Sequence, residues 1–143
     1  MRALSLVCTV LVLAAGPVVA QSSSDQLQVE PPPARKAAPP APDTPLEQLE
    51  AKGDHLRSEK AYLDALDYYR AALAKSPNHA HLLNKAGITE LMMQRYKDAR
   101  KHFEKSIKND REFSDAYNNL GVVYYMEKRF GKAVKQYEKA IKL

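Results

Sequence analysis

The side chains best suited to metal binding or nucleophilic chemistry in this sequence are four histidines and one cysteine. Their spacing does not bring them together. His79 and His81 are two positions apart, which directs them to different faces of a helix, while His55 and His102 stand alone among charged residues. A metal site needs ligands that converge at a set spacing. Cys8 lies inside an apolar run near the N-terminus. The sequence therefore predicts no catalytic residue, no metal, no cofactor and no small-molecule substrate, so the protein is not expected to be an enzyme.

Two adjacent amides, Asn118 and Asn119, are the more informative polar residues. They lie in AYNNLGVVYY, residues 116–125, between aromatic and aliphatic neighbours. An amide has both a donor and an acceptor, so it can pair with the peptide backbone of a ligand. The alternative is that these asparagines only tolerate solvent. The choice between the two depends on the elements that position them.

Residues 1–20, MRALSLVCTVLVLAAGPVVA, have the pattern of an export signal. One positive charge, Arg2, precedes an apolar run over residues 3–15, and small residues precede Gln21. The run is too short to span a bilayer comfortably. We expect a cleaved signal peptide of bacterial type and a periplasmic or secreted protein without cysteine. The alternative is an uncleaved anchor in the inner membrane through residues 3–15, and membrane association is expected only in that case.

Residues 21–45 are dominated by Ser, Gln and Pro and hold almost no large apolar side chains. Such a segment cannot bury enough surface to fold, so it is predicted to be a disordered, Pro-rich, semi-rigid linker. The formal net charge of +5 comes mainly from lysines and arginines after residue 95. These cations alternate with acidic residues at the spacing of a solvated helix face, which makes nucleic acid an unlikely partner.

The remainder, Leu46–Leu143, aligns with itself twice at one constant shift. The alignment defines three units, 46–79, 80–113 and 114–143, each predicted to form two antiparallel helices with turns near Lys60, Gln94 and Lys128. Glycine columns should let the facing helix approach closely, and the aromatic column should fill the space between successive helix pairs. Three stacked pairs can build a core that one pair cannot. The most regular columns are Gly53, Gly87 and Gly121; Ala65, Ala99 and Ala133; and Tyr69, Phe103 and Tyr137.

The repeat period and the motif YNNLGVVYY…F…A…Y…A closely resemble the tetratricopeptide repeat over Leu46–Leu143. The sequence departs from the repeat pattern at Lys52, Glu90 and Arg111, and Glu90 is expected to weaken packing in the middle unit. The resemblance implies an all-α, right-handed superhelical solenoid of three helix pairs. Unit three matches best, through Tyr117, Leu120, Gly121, Tyr124, Ala133, Tyr137 and Ala140.

In proteins of this resemblance the first helix of each unit lines an inner groove that holds a peptide or a helix. The implied function is a non-enzymatic scaffold that binds a partner protein there. Val122 and Tyr125 would supply an apolar floor and an aromatic anchor. Helical spacing selects the predicted groove residues: Glu50, Asp54, Asn84, Ile88, Leu91, Asn118, Asn119, Val122 and Tyr125.

Some members of the family hold the C-terminal carboxylate of chaperones with lysines, arginines and asparagines. The matching positions here are Glu50, Asp54, Lys85, Asp115 and Asn119, so most of the cations are absent. The acidic residues of unit one would repel a carboxylate. We therefore expect a ligand with a basic residue near unit one.

The sequence ends at Leu143, inside the last predicted helix, where Val134, Ala140 and Ile141 would lack a covering helix. Solenoids usually end with a helix whose outer face is polar. Two alternatives to groove binding therefore stay open. The protein is a structural module that self-associates through this edge, or the repeats belong to a longer, possibly catalytic, protein.

Overall fold

The computed structural model describes residues 35–143, in which six helices and no strands are found. The predicted signal peptide and the linker up to residue 34 lie outside these described residues. The all-α prediction is confirmed for the repeat region. The helices are α1 (Leu46–Ser58), α2 (Tyr62–Lys75), α3 (Ala80–Met92), α4 (Tyr96–Asn109), α5 (Ser114–Met126) and α6 (Phe130–Lys142).

Each helix packs mainly against its neighbour in the chain. The pairs α1–α2, α3–α4 and α5–α6 make the most extensive contacts, and α2–α3 and α4–α5 join successive pairs. The first helices also approach one another, since α3 contacts α5. Short connections between long amphipathic helices produce this arrangement of stacked antiparallel pairs.

The turn inside each unit has the same backbone geometry. Lys60, Gln94 and Lys128 have φ values of 59°, 59° and 60°, the left-handed conformation that commonly ends a helix. The next residue in each turn donates its backbone N–H to a carbonyl five positions earlier, as Ala61 does to Leu56 at 2.9 Å. These are the three predicted turn positions. Non-glycine residues hold a conformation that glycine adopts more readily.

The glycine column lets the facing helix approach closely, as predicted, and it also makes room for the aromatic column. A Cβ atom added to Gly53 would lie 2.7 Å from the ring of Tyr69, so the helices approach closely only because the side chain is absent. Each ring lies against the glycine of its own unit, and Tyr69 and Phe103 also belong to core clusters that include the next first helix, α3 or α5, so they extend into the space between successive helix pairs as well. The equivalent pairs are Gly53 with Tyr69, Gly87 with Phe103, and Gly121 with Tyr137.

The buried apolar residues form two clusters. The first joins α1, α2 and the start of α3 around Leu49, Leu66 and Tyr69, and the second joins α4, α5 and α6 around Phe103 and Val123. Four of the five buried polar residues lie on α3 or α4, between the clusters: Asn84, Thr89, Glu90 and Ser106.

Glu90, at a position where the repeat pattern favours an aromatic residue, is only 3% exposed. Its carboxylate lies 2.7 Å from Nδ1 of His102 on α4. The departure from the pattern is therefore accompanied by a specific polar partner on the facing helix, which satisfies a group that would otherwise be costly to bury.

The last part of the predicted linker, residues 35–45, lies within the described residues. Residues 35–45 have no helix or strand, but residues 35–38 contact α2 through hydrogen bonds and an ion pair. Pro45 immediately precedes α1 with an extended backbone (φ −58°, ψ 151°).

Candidate protein-binding site

The nine predicted groove residues lie on α1, α3 and α5, and we call this surface the inner face. The repeat places Glu50, Asn84 and Asn118 in one column, each one full repeat from the next. The following column contains Lys85 and Asn119. These two columns behave differently at the two ends of the solenoid.

At the unit-one end, Lys85 of α3 joins two carboxylates of α1. Its ammonium lies 2.6 Å from Oε1 of Glu50 and 2.6 Å from Oδ2 of Asp54. Asp54 also accepts a hydrogen bond of 2.7 Å from the Tyr69 hydroxyl and lies 3.7 Å from Nη2 of Arg57. We call these five residues the Lys85 cluster.

These contacts shift the pKa values of Asp54, Lys85 and Tyr69. Burial alone would raise the pKa of Asp54, but hydrogen bonds from Lys85 and Tyr69 outweigh it, and the pKa lies below its ordinary value. Burial alone would likewise lower the pKa of Lys85, yet its bonds to Asp54 and Glu50 raise it. Burial and the bond to Asp54 raise the pKa of Tyr69 strongly. The Asp54 carboxylate and the Lys85 ammonium are therefore both charged at neutral pH and paired with each other.

In the middle of the inner face, Asn84 is only 6% exposed. Its Oδ1 accepts a hydrogen bond of 3.0 Å from Nδ2 of Asn119. Helical spacing had placed Asn84 on the groove surface, but packing between α3 and α5 buries it. Of the two adjacent amides, Asn119 thus bridges two units of the fold.

The Asn84–Asn119 and Glu50–Lys85 contacts are equivalent. Each joins a residue to the one 35 positions later, one repeat plus one residue. The spacing was present in the sequence, and comparing chemical types at this longer shift would have identified both bridges. The cross-unit role of Lys85, and the contacts of Asp54 with Arg57 and Tyr69, were missed.

The unit-three end of the inner face is open. Asn118 is exposed, Val122 is half-buried and the Tyr125 side chain is 57% exposed. These residues follow the i, i+4, i+7 spacing that places side chains on one face of a helix. The ring of Tyr125 packs edge-on against Phe130, with centroids 5.4 Å apart. We call Asn118, Val122 and Tyr125 the open end.

The predicted apolar residues of α3 extend the inner face toward the open end. Ile88 and Leu91 are half-buried and pack against the second core cluster, which includes residues of α5. Their partly accessible side chains supply apolar surface beside the polar Asn84–Asn119 bridge.

Within residues 35–143, no three His, Cys, Asp or Glu side chains converge as they would around a metal ion. None of the six helices found there is both long enough and apolar enough to cross a membrane.

This architecture of stacked helix pairs defines a class of repeat protein. Two tetratricopeptide repeat models match the chain, one over residues 47–112 and the other over residues 114–143. The chain therefore belongs to the tetratricopeptide repeat family, a fold that generally mediates protein interactions without catalysis. Comparison with curated proteins gives no match.

Among solved structures, the second tetratricopeptide repeat domain of Spaghetti (RPAP3), bound to the HSP90 peptide SRMEEVD, is similar in fold. It has a TM-score of 0.66 and 21% identity, over 68% of this chain and 91% of that one. Its first such domain, bound to the same peptide, has a TM-score of 0.66 and 18% identity, over 68% and 77% of the two chains.

The protein MamA is also similar, with a TM-score of 0.66 and 25% identity in one crystal structure, over 69% of this chain. This chain spans 54% of MamA's length there, and 57% in a second structure with a TM-score of 0.65, 24% identity and coverage of 68% of this chain.

Proposed function

We propose that this protein is a non-enzymatic scaffold that binds a peptide or helix of a partner protein on its inner face, with the open end as the main contact. The observation that carries the proposal is the exposure of Asn118 and Tyr125 on either side of half-buried Val122. The amide offers a donor and an acceptor to a ligand backbone, and the tyrosine offers an aromatic anchor. Peptides bound to similar solved domains support this type of partner.

The proposed ligand presents an apolar or aromatic side chain and contacts Asn118 through its backbone. The expectation of a basic ligand near unit one loses part of its physical basis, because Lys85 and Arg57 neutralise Glu50 and Asp54 and only Glu47 of the three acidic residues stays exposed without such a partner in the described residues. Lys85 is equally unsuited to hold a ligand carboxylate, since its ammonium already contacts two carboxylates. We therefore expect the peptide SRMEEVD to bind with a Kd weaker than about 1 mM.

The experiment uses a displayed library of random peptides selected on the full chain, followed by calorimetric titration of a selected peptide. The double substitution Asn118→Ala, Tyr125→Ala should weaken binding at least 10-fold, about 1.4 kcal/mol or more, while helicity stays unchanged. Ile141→Ala is the matched control, because it removes an 84% exposed apolar side chain from α6. If both variants bind every selected peptide like wild type, the proposal is wrong.

We also propose an extracytoplasmic location, on the basis of the signal-like residues 1–20. The intact mass of the protein isolated from its host tests this location. A polypeptide beginning at Gln21 supports export, and one that retains residues 3–15 supports the inner-membrane anchor instead.

Self-association is the second candidate function, and exposed apolar side chains of α6 favour it: Phe130, Val134 and Ile141. Sedimentation equilibrium over a 100-fold concentration range separates the two candidates. A constant monomer mass supports inner-face binding alone, whereas a mass that rises with concentration and falls back in Val134→Lys supports self-association.

A further inference from the structure

The segment before α1 makes specific charged contacts with α2. Nη1 of Arg35 lies 2.7 Å from Oδ2 of Asp67 and 3.6 Å from Oδ1 of Asp64. The backbone N–H of Lys36 donates to Oδ2 of Asp64 at 3.0 Å. Asp64 is only 5% exposed, so this carboxylate is buried with the segment as its partner.

Uncharged contacts extend the docked segment further along the chain. The hydroxyl of Tyr68 donates to the carbonyl of Ala38 at 3.1 Å, and Ala37 packs against the first core cluster. Pro39 lines a cavity of about 220 Å³ together with the two aspartates of α2. We call residues Arg35–Pro39 the strap, and Asp64, Asp67 and Tyr68 the outer stripe of α2.

The repeat indicates what the outer stripe faces in a later unit. The equivalent residues of α4, one repeat further on, are Asp98, Lys101 and His102. Together with Arg70 of α2 they line a cavity of about 370 Å³. In unit two the stripe therefore borders a cavity that residues of α2 and α3 also line, and in unit one the strap contacts the corresponding side of α2.

The charge of the stripe changes from unit to unit. The two aspartates of α2 correspond to Asp98 and Lys101 on α4, and to Lys132 and Lys135 on α6. Two neighbouring carboxylates attract a cation, a mixed pair does so weakly, and two lysines repel it. Among the three second helices, only α2 has the charge that suits Arg35.

We propose that the outer stripe of α2 is a second peptide-binding site, separate from the inner face, and that the strap is its ligand within the same chain. The site recognises a segment without helix or strand in which a cation precedes alanine and proline. Prolines limit the conformations of the free segment, so less entropy is lost on docking. The strap covers one side of α2 and leaves the open end on α5 accessible.

Backbone amide exchange in the full chain, followed residue by residue, tests this proposal. The amide of Lys36 should exchange at least 10-fold more slowly than in a free peptide of the same sequence, because Asp64 accepts its hydrogen. Arg35→Ala changes only the strap and should remove most of the protection. Asp64→Ala with Asp67→Ala should do the same from the side of α2.

Asp98→Ala is the matched control, since it removes the equivalent carboxylate from α4 and should leave Lys36 protection within 2-fold of wild type. An unprotected Lys36 amide in wild type overturns the proposal, as does protection that survives both the Arg35 and the aspartate variants. Protection that disappears on dilution assigns the strap to a second copy of the chain and overturns binding within one chain. Tyr68→Phe should accelerate Lys36 exchange by a smaller factor.

Discussion

The two ends of the inner face use the same repeat positions in opposite ways. At the unit-one end, the carboxylate of Glu50 forms an ion pair with Lys85 on α3, the first helix of the next unit. At the unit-three end, the column partner of Glu50 is Asn118, an exposed amide on α5. Polar groups that bridge successive units are unavailable to a ligand, and those beyond the last bridge are accessible.

The comparison explains why two adjacent asparagines have different roles. Asn119 lies one repeat and one residue after Asn84 and forms a hydrogen bond with it. Asn118 instead shares a repeat position with Glu50 and Asn84, the first residues of the two bridges. A repeat position therefore does not specify a role by itself. The bridging role of Glu50 and of Asn84 depends on the side chain that lies one repeat and one residue further along.

The two ends should differ most in the unfolding free energy that is lost when a glycine of the glycine column is replaced by alanine. Gly53→Ala would place a Cβ atom 2.7 Å from the ring of Tyr69, which is fully buried, so we expect a loss of about 3 kcal/mol of unfolding free energy. Gly121→Ala meets Tyr137, which is half-buried and can move toward solvent. Its cost should be smaller, about 1 kcal/mol. Urea unfolding of both variants measures the difference, and equal costs would contradict this account.

Removal of the Lys85 cation at the unit-one end should lower the free energy of unfolding by less than Gly53→Ala does. Lys85→Met leaves Glu50 and Asp54 close together without their shared partner, and we expect a loss of about 1–2 kcal/mol in chemical unfolding. Binding of a peptide selected on the wild-type protein should change less than 2-fold. A large loss of binding with little loss of stability would mean that the unit-one end contacts the ligand.

The pH dependence of that loss has a definite sign. Because the pKa of folded Asp54 lies below its ordinary value of 3.8, the stabilisation is present above that value and disappears as pH falls through the lower, folded pKa. Because the pKa of Lys85 is raised above 10.5, its stabilisation is complete below 10.5 and disappears as pH rises through the folded value. The difference in unfolding free energy between wild type and Lys85→Met should therefore be constant from about pH 5 to pH 9. A difference that varies within this window would contradict the assignment.

The adjacent amides provide a closely matched test. Asn119→Ala leaves the buried Oδ1 of Asn84 without its donor and should cost about 1 kcal/mol. Asn118→Ala changes an exposed side chain and should stay within about 0.5 kcal/mol of wild type. Thermal and urea unfolding of both variants check the order, and a costlier Asn118 variant would reverse the two roles.

The smallest effect is expected at the turns. Lys60→Gly and Lys128→Gly place a residue without a Cβ atom at φ values of 59° and 60°, so each should stabilise the protein by about 0.5 kcal/mol. The two gains should be equal, because the turns share one geometry. A destabilised variant would show that the lysine side chain contributes to the turn.

The repeat period was sufficient to predict the helix pairs and the turns, because each turn interrupts an apolar pattern at the same place. It did not show which neighbour each aromatic ring contacts, since a column specifies a face but not the element opposite it. The strap was missed for a different reason. An irregular segment such as Arg35–Pro39 has no apolar periodicity, and its contacts with Asp64 and Asp67 depend on tertiary placement.

Amide chemical shift mapping of a selected peptide on the full chain tests the central comparison most directly. The account predicts the largest shift changes on α5 between Asn118 and Tyr125, with smaller ones near Ile88 and Leu91 on α3, and almost none at Glu50 and Asp54. Changes concentrated on α1 around Glu50 and Asp54, or on the outer stripe of α2, would contradict it.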